Sequence, residues 1–574
     1  MPLIRAAPAA SAGAAPAAPP AKAPAVSGLR RLLKRVKSDN EANAPPAKAP
    51  KPMRQEHELA AGQSWLDALT EKKKGPLKTL KAESLINGTV LRDIARDLVA
   101  ATNNPTLRKE RTHTIGTMCS GSEVLTLVTE ALEAELQAAG YPQSFEPLFT
   151  CEIDKNKREW GMDMINRGSC CCFGNICEMD HKEAWCYKHE KKCVIPRVEG
   201  AVAGTSCKDF AKCNNNRGKQ GHVMKKGSSA GGSSDTFYGF VGYLDVHAPD
   251  WVILENSDAL LDGDRVNFDL MCSEVSSRGY DIKPLILEAM EFAVPTARRR
   301  LYLMGVLNLA KSMVIKDANR HWGEVRQLVC RAQRKPPALQ DVLLTDDDEA
   351  VEDLLQLRKE KTAAKLQKDT NSMLLDASTA KKHMQVFQEA HLRWGGEKCR
   401  PRSIKSPWMA TMGEREREVL MFFQAQHADE YAASKGVLVA DVGQSIERVR
   451  SGSAEAEVSV LPTILPNSKI WMSLGAKATR PQRMKVERLL LGTEALRLQG
   501  LDVEHLRPDL LKKYSNNLMM SLAGNMFSGT VILTTLSALI LSTEWKTDDE
   551  PTETDGDDVD TALAVLRSLK GQSA

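Results

Sequence analysis

The residues best suited to chemistry are a cysteine, a carboxylate and two arginines. Cys207 lies within residues 204–210, Gly-Thr-Ser-Cys-Lys-Asp-Phe, a short glycine-led turn after the apolar run 194–202. Thiolate is the nucleophilic form of cysteine, and nearby cations lower the pKa of the thiol. Lys208, Lys212, Arg217, Lys219, Lys225 and Lys226 follow in a loose Gly/Ser-containing basic stretch suited to phosphate contacts. Glu255 ends the strand-like run Trp251-Val252-Ile253-Leu254 and precedes Asn256. Arg298 and Arg300 open a further apolar strand, and alternate residues of an extended strand share a face. A cysteine at one strand edge and a carboxylate at the end of another converge on one rim of an α/β sheet, the rim where such folds bind ligands. A lone cysteine also reads as a small buried apolar side chain, so the case rests on its companions.

The elements that must position these groups come in strand–helix alternation. Residues 113–123, His-Thr-Ile-Gly-Thr-Met-Cys-Ser-Gly-Ser-Glu, read as strand, tight turn and helix start, with a helix over 124–139. A glycine turn opening a helix lets backbone N–H groups approach a polar ligand. Residues 148–154 form a second strand ending in Glu152, the position from which an acid can bind ribose hydroxyls. Phe173-Gly174-Asn175-Ile176-Cys177 follows. A helix starting near Asp235, and containing Phe237, leads into the Glu255 strand. Apolar spacing over 77–101 predicts the first folded helix.

Taken in order, these pieces resemble the cytosine-5 methyltransferases. The Cys207 turn resembles the family's Pro-Cys loop, with Ser206 in place of proline and Lys208 in place of glutamine. Glu255-Asn256 resembles its Glu-Asn strand end, and residues 296–300 its Gln-x-Arg-x-Arg strand start, with Thr296 for glutamine. The Cys119-Ser120-Gly121 turn resembles the Phe-Ser-Gly turn that holds S-adenosylmethionine, with Cys119 for phenylalanine and the later glycines missing. Asn175-Ile176 resembles the Asp-Ile segment beside the adenine, and an amide still bonds an adenine amino group. Residues 489–500, Leu-Leu-Leu-Gly-Thr-Glu-Ala-Leu-Arg-Leu-Gln-Gly, closely resemble the family's Leu-Thr-x-Glu-x-x-Arg-Leu-Gln-Gly segment. Gly524-Asn525 resembles the Gly-Asn segment that returns to the cofactor, followed by a helix over 530–541.

The resemblance implies an α/β fold: a Rossmann-like S-adenosylmethionine-dependent methyltransferase sheet with a second, smaller target-recognition region. It implies DNA (cytosine-5-)-methyltransferase activity with S-adenosyl-L-methionine as cofactor. Cys207, Glu255, Arg298 and Arg300 are then the catalytic set. Cys119, Gly121, Glu152, Ile153, Asn175, Ile176, Phe237 and Asn525 are the cofactor set. The chemistry requires such residues. A thiolate adding to carbon 6 of cytosine makes carbon 5 nucleophilic. A carboxylate holds the N3 and amino edge, an arginine holds the ring carbonyl, and a paired base must be flipped out to be reached. The same chemistry on RNA, or a silent methyltransferase-like module that binds nucleic acid or a partner, are the alternatives.

The boundaries expected are a basic Ala/Pro-rich segment at 1–75 and a methyltransferase domain at 76–306 with a cysteine-rich insertion at 170–193. A variable recognition or insertion region at 307–484, a return to the catalytic domain at 485–542, and an acidic tail at 543–574 complete the chain. Zinc takes four Cys or His ligands. The insertion has those residue types but no C-x-x-C pair, so it reads as free thiols rather than a metal site. Cys177, His181, Cys186, His189 and Cys193 are the zinc candidates it offers.

The totals fit this reading. A chain of 574 residues with 42% hydrophobic and 26% charged residues supports a large core, and a net charge of only +4 makes any basic surface local. No run of 18 apolar residues occurs, so no membrane span is expected. Thirteen cysteines in a chain this long point to a reducing compartment. The basic run 29–37 reads as a nuclear address or nucleic-acid arm, whereas the acid-poor, Ala-rich start also fits a plastid or mitochondrial transit peptide. DNA is the expected partner, preferred over RNA.

Overall fold

The computed structural model describes residues 75–546, with Thr70 and Lys73, except for 166–167, 211–231, 263–264, 392–405, 449–458, 478–486 and 504–506. The chain divides into residues 1–61 and 62–574. The readings of the basic N-terminal segment, most of the basic loop after Cys207 and the acidic tail fall outside the described residues.

The helix expected over 77–101 is broken at 87–89 into a short turn of helix, Ala82–Ile86, and α1 (Val90–Val99), whose Ile94, Ala95 and Leu98 are fully buried. Then come β1 (Arg111–Met118), α2 (Val124–Ala138), β2 (Gln143–Cys151), α3 (Lys155–Ile165) and β3 (Cys171–Phe173). A hairpin, β4 (Glu183–Cys186) and β5 (Lys191–Val194), precedes β6 (Gly200–Gly204), α4 (Gly232–His247) and β7 (Trp251–Ser257). Helix α5 (Val266–Ser276), β8 (Tyr280–Glu288) and β9 (Arg299–Leu307) complete a nine-stranded sheet ordered β5-β4-β3-β2-β1-β6-β7-β9-β8. The five central strands, β3-β2-β1-β6-β7, are parallel, and an antiparallel pair closes each side. Strand β7 is buried along its whole length, as a parallel strand covered on both faces must be.

Chain order reverses at β1, which lies between β2 and β6. The crevice beyond the carboxyl ends of β1 and β6 is therefore the topological switch point, where doubly wound sheets bind ligands. Cys119, Glu152, Asn175, Cys207 and Glu255 all stand at or just past strand ends on this rim.

After β10 (Met313–Val314), α6 (Ala318–Ala332) packs against α1. Helices α7 (Glu349–Lys368), α8 (Ala377–Glu389) and α9 (Glu414–Gln426) lead to an antiparallel three-stranded sheet, β11 (Val437–Asp441), β12 (Ile470–Leu474) and β13 (Glu487–Leu489). These elements share a second core built on Phe387, Trp408, Phe422, Phe423 and Trp471. In the charged stretch 341–393, α7 buries only Val351 and α8 only His383 and Phe387, so each helix turns one edge to the core. The chain returns through α10 (Gly492–Arg497), α11 (Asn516–Asn525) and α12 (Gly529–Ser542), and β14 (Glu544–Trp545) pairs with β10. Every residue of α12 is buried, against α1, α2 and α6. Among the described residues no single helix is long and apolar enough to cross a membrane.

Candidate active site

Strand register builds the site. Gly204 of β6 pairs with Glu255 of β7, so Cys207 leaves the sheet on the turn beyond Glu255's neighbour. Glu255 in turn pairs with Tyr302 of β9, and Arg300 lies two residues away on the same face. The result is an ion pair, Arg300 Nε to Glu255 Oε1 at 3.2 Å, with both side chains largely buried. That geometry is not aligned for a hydrogen bond: Oε1 of Glu255 has no hydrogen-bond partner among the described residues. A buried acceptor left open is costly unless something else fills it, and a ligand N–H would do so.

The Cys207 turn is tied down on both sides. Asn256 Nδ2 donates to Thr205 Oγ1 at 2.9 Å and to Thr205 O at 3.3 Å. Asp209 and Ser233, at the start of α4, exchange bonds: Asp209 N–H donates to Ser233 Oγ at 3.2 Å and Ser233 N–H to Asp209 Oδ2 at 3.1 Å. Ser206 brings an N–H that proline lacks, and it donates to Thr236 Oγ1 at 3.0 Å. The serine is thus accommodated by the same helix that anchors Asp209. Cys207 itself is half-buried.

Among the described residues, Arg298 is held by the return segment. Its guanidinium donates to the carbonyls of Gly524 and Met526, clamping the return segment around Asn525. Burial and then the neighbouring Arg300 depress its pKa to about 10, while Glu255 and Cys207 nearby act in the opposite sense. Arg298 thus stands behind the Arg300–Glu255 pair as a positioning member. The segment before it is held by the chain ahead of β12: Ala297 N–H donates to Leu461 O at 2.8 Å and Leu461 N–H to Pro295 O at 2.9 Å.

The cofactor set lies along the same rim. Gly121 has φ +73°, and a Cβ there would stand 3.1 Å from Asn525 O, so glycine lets turn and return segment meet. Cys119, also at positive φ, is half-buried, and desolvation and then Glu152 push its thiol up to about 12. Glu152 Oε1 accepts from Asp154 N–H at 2.9 Å, and burial raises its pKa. Asn175 Oδ1 accepts from Cys177 N–H at 3.1 Å. Phe237 is buried on α4, next to the turn carrying Ile176, while Ile153 is 72% exposed. Asn525 Nδ2 caps its own helix through Ser521 O at 2.8 Å. An acid after β2, an amide after β3 and a tight glycine turn after β1 fit a nucleoside-bearing cofactor.

Three contributors escape a sequence reading. Glu123 stands in the left-handed region at φ 54° and is buried, accepting from Thr117, Ser120 and Thr150. Burial outweighs those bonds and raises its pKa. Thr236 and the Asp209–Ser233 exchange appear only when α4 is docked. In the cysteine-rich insertion, Cys186, His189 and Cys193 do come together, but with Cys171. Cys177 is exposed and contacts Asp235 O, and His181 is exposed beside Asp180, so neither belongs to that group. The available signal was the spacing Cys186-x2-His189-x3-Cys193, rather than a C-x-x-C pair.

Residues 489–500, the most literal sequence match, prove architectural. Arg488, in the middle of β13, donates to both oxygens of Glu494 at 2.8 Å, and Glu494 also accepts from Leu344 and Leu491 N–H at 2.8 and 2.9 Å.

Comparison with known proteins identifies relatives of the chain. The DNA (cytosine-5-)-methyltransferase DMT5 of Cryptococcus neoformans var. grubii is 26% identical over 437 residues, covering 73% of this chain and 16% of that protein. The DMT5 of Verticillium dahliae is 22% identical over 478 residues, covering 73% of this chain and 19% of that protein. The chain thus spans less than a fifth of the length of these curated relatives. Among solved structures, the S. pombe Dnmt2 methyltransferase matches 75% of this chain and 98% of its own, with 13% identity and a TM-score of 0.36. Residues 130–532, well over half the chain, match the C-5 cytosine-specific DNA methylases; the protein belongs to that family, whose cofactor is S-adenosyl-L-methionine.

Proposed function

We propose that this chain methylates carbon 5 of cytosine in DNA through a covalent adduct of Cys207. The observation that carries the proposal is the Glu255–Arg300 pair, with its open acceptor Oε1, at the strand ends beside the Cys207 turn. The Cys207 thiolate adds to carbon 6, and the ring's added electron density makes carbon 5 nucleophilic. Glu255 accepts from the exocyclic amino group and, as charge develops, from a protonated N3. Arg300 donates to the ring carbonyl while its Nε stays on Glu255. Bound S-adenosyl-L-methionine supplies the methyl group; Glu152, Asn175, the Gly121 turn and Asn525 would hold it. Loss of the carbon-5 proton to a base then expels the Cys207 thiolate and restores the ring. A duplex cytosine must be flipped to reach these groups. Arg298 keeps the cofactor-side return segment against the cytosine-side strand.

DNA is favoured over RNA as substrate because the family and the named relatives are DNA methylases. Placement in the nucleus, suggested by the basic run 29–37, belongs to the same proposal, and imaging of the tagged chain tests it. The central experiment is methyl transfer from labelled S-adenosylmethionine, with trapping on 5-fluorocytosine in matched DNA and RNA. Adduct on DNA that disappears in Cys207→Ala is the expected result. Adduct on RNA alone would move the substrate class, and turnover retained by Cys207→Ala would end the covalent mechanism.

A further inference from the structure

The β5–β4–β3 edge of the sheet carries a second cluster that the methyl-transfer reading does not use. The Sγ atoms of Cys171, Cys186 and Cys193 stand 3.6, 3.3 and 3.5 Å from a single atom, Nδ1 of His189. All four ligand atoms lie within 4.8 Å of one another. We propose that these four residues hold one zinc ion in a closed, structural Cys3His site.

Geometry comes first. With Zn–S near ~2.3 Å and Zn–N near ~2.0–2.1 Å, a tetrahedral site has an S···N edge of about 3.6 Å. The three observed edges match that length. Hydrogen bonding is a poor substitute. The neutral ring has one lone pair at Nδ1 when Nε2 carries the proton, so only one of three thiols could donate to it. A cation at the centre satisfies all four atoms together.

The outer contacts fit as well. His189 Nε2 lies 3.2 Å from Gly168 O, the carbonyl partner that fixes the tautomer leaving Nδ1 for a metal. Cys172 N–H donates to Cys186 Sγ at 3.2 Å, the kind of bond that steadies a thiolate ligand. On binding, the three thiols release their protons to solvent and the imidazole binds neutral. The centre then carries one net negative charge, and the exposed Lys191 and Lys192 flank it in sequence. Four protein ligands leave no open position for substrate or water, which marks a structural site.

The ion would fasten the β4–β5 hairpin to the first residue of β3. Tyr187, between ligands, donates its N–H to Cys172 O at 2.7 Å. Its ring covers Gly174 and carries the Arg158 guanidinium 3.6 Å from its centroid. Arg158 in turn donates to the carbonyls of Glu152 and Ile153 at 2.9 and 3.0 Å. The metal therefore braces the strand ends bearing Asn175 and Glu152. This consequence rests on the cofactor reading above; the presence of the metal does not.

The test is elemental analysis of the full chain, purified from zinc-supplemented culture and dialysed against metal-free buffer. About one zinc per chain is expected, falling below about a tenth in Cys171→Ser and Cys193→Ser and unchanged in Cys177→Ser. Cobalt substitution should show thiolate-to-metal charge transfer and the strong visible bands of a tetrahedral site. Cys193→His should retain metal with a weaker charge-transfer band, which keeps the test informative should the serine variants not fold. Absence of metal from the parent chain, equal zinc in Cys171→Ser, or a Cys186–Cys193 disulfide by mass spectrometry would overturn the proposal.

Discussion

Two buried glutamate–arginine pairs in this molecule do opposite jobs. Glu494 is saturated: two bonds from Arg488 and two from backbone N–H groups occupy its oxygens. Glu255 has one ion-pair contact with Arg300 and an oxygen without a hydrogen bond among the described residues. A saturated carboxylate has nothing left to offer a ligand, so the Glu494 pair joins the return helix to the 344–346 segment and β13. An unsaturated one keeps binding capacity in reserve at the cost of an incomplete desolvated group. The lesson is that the number of open acceptor positions, rather than the presence of a charge pair, separates a site from a brace.

Perturbing each pair should expose this difference. Arg488→Met leaves Glu494 buried without its cation and should cost about 3–5 kcal/mol of stability, read by denaturant unfolding. If stability falls by less than a tenth of that, Glu494 is not the brace described. Glu255→Gln should do the reverse. It keeps size and one acceptor but loses the charge, so methyl transfer should fall roughly 100- to 1,000-fold with the melting temperature little changed. Equal losses of stability in the two variants would erase the distinction.

A third carboxylate supplies a pH test. Burial, then the nearby Glu291, raises Glu288 to about 7 from an ordinary 4.5. Its folded pKa is raised, so its stabilising contribution is present below about pH 4.5 and is lost as pH rises through about 7. Glu288→Gln should therefore leave stability at pH 5 nearly unchanged and raise it at pH 8 by on the order of 1–2 kcal/mol, after allowance for partial exposure. Glu487, also raised by burial to about 7, should preserve part of the pH dependence in the variant. The smallest effect is expected at the cysteine turn. Thr236→Val removes the acceptor for Ser206 N–H and should cost about 1 kcal/mol, with a several-fold loss of turnover and little change in cofactor binding. An unchanged rate would show that this bond does not position Cys207.

Much of the scaffold was legible in one dimension because its signals are local. The apolar runs of β1, β2 and β7, the helix between the Gly121 turn and β2, and the arginine strand all carry their own periodicity or composition. So do the short motifs around Cys207, Glu255 and Asn525, whose residue order is itself the signal. The cysteine-rich edge was not legible in the same way. Its fourth member, Cys171, is fifteen residues from Cys186 and belongs to another strand, and only antiparallel pairing of β4 with β3 and β5 closes the gap.

The amino-acid order alone therefore determined which reactive groups the chain owns, and that alternating strands and helices would present them on one rim. Tertiary structure decided what each group is free to do. Register set Arg300 against Glu255, docking of the return segment drew Arg298 away to the carbonyls of 524 and 526, and folding of the edge hairpin chose Cys171 over Cys177. The physical reason is that a residue type carries its chemistry in itself. Saturation, burial and partnership depend on which distant atoms arrive within about 3 Å, and that is settled only when the sheet and its covering helices pack together.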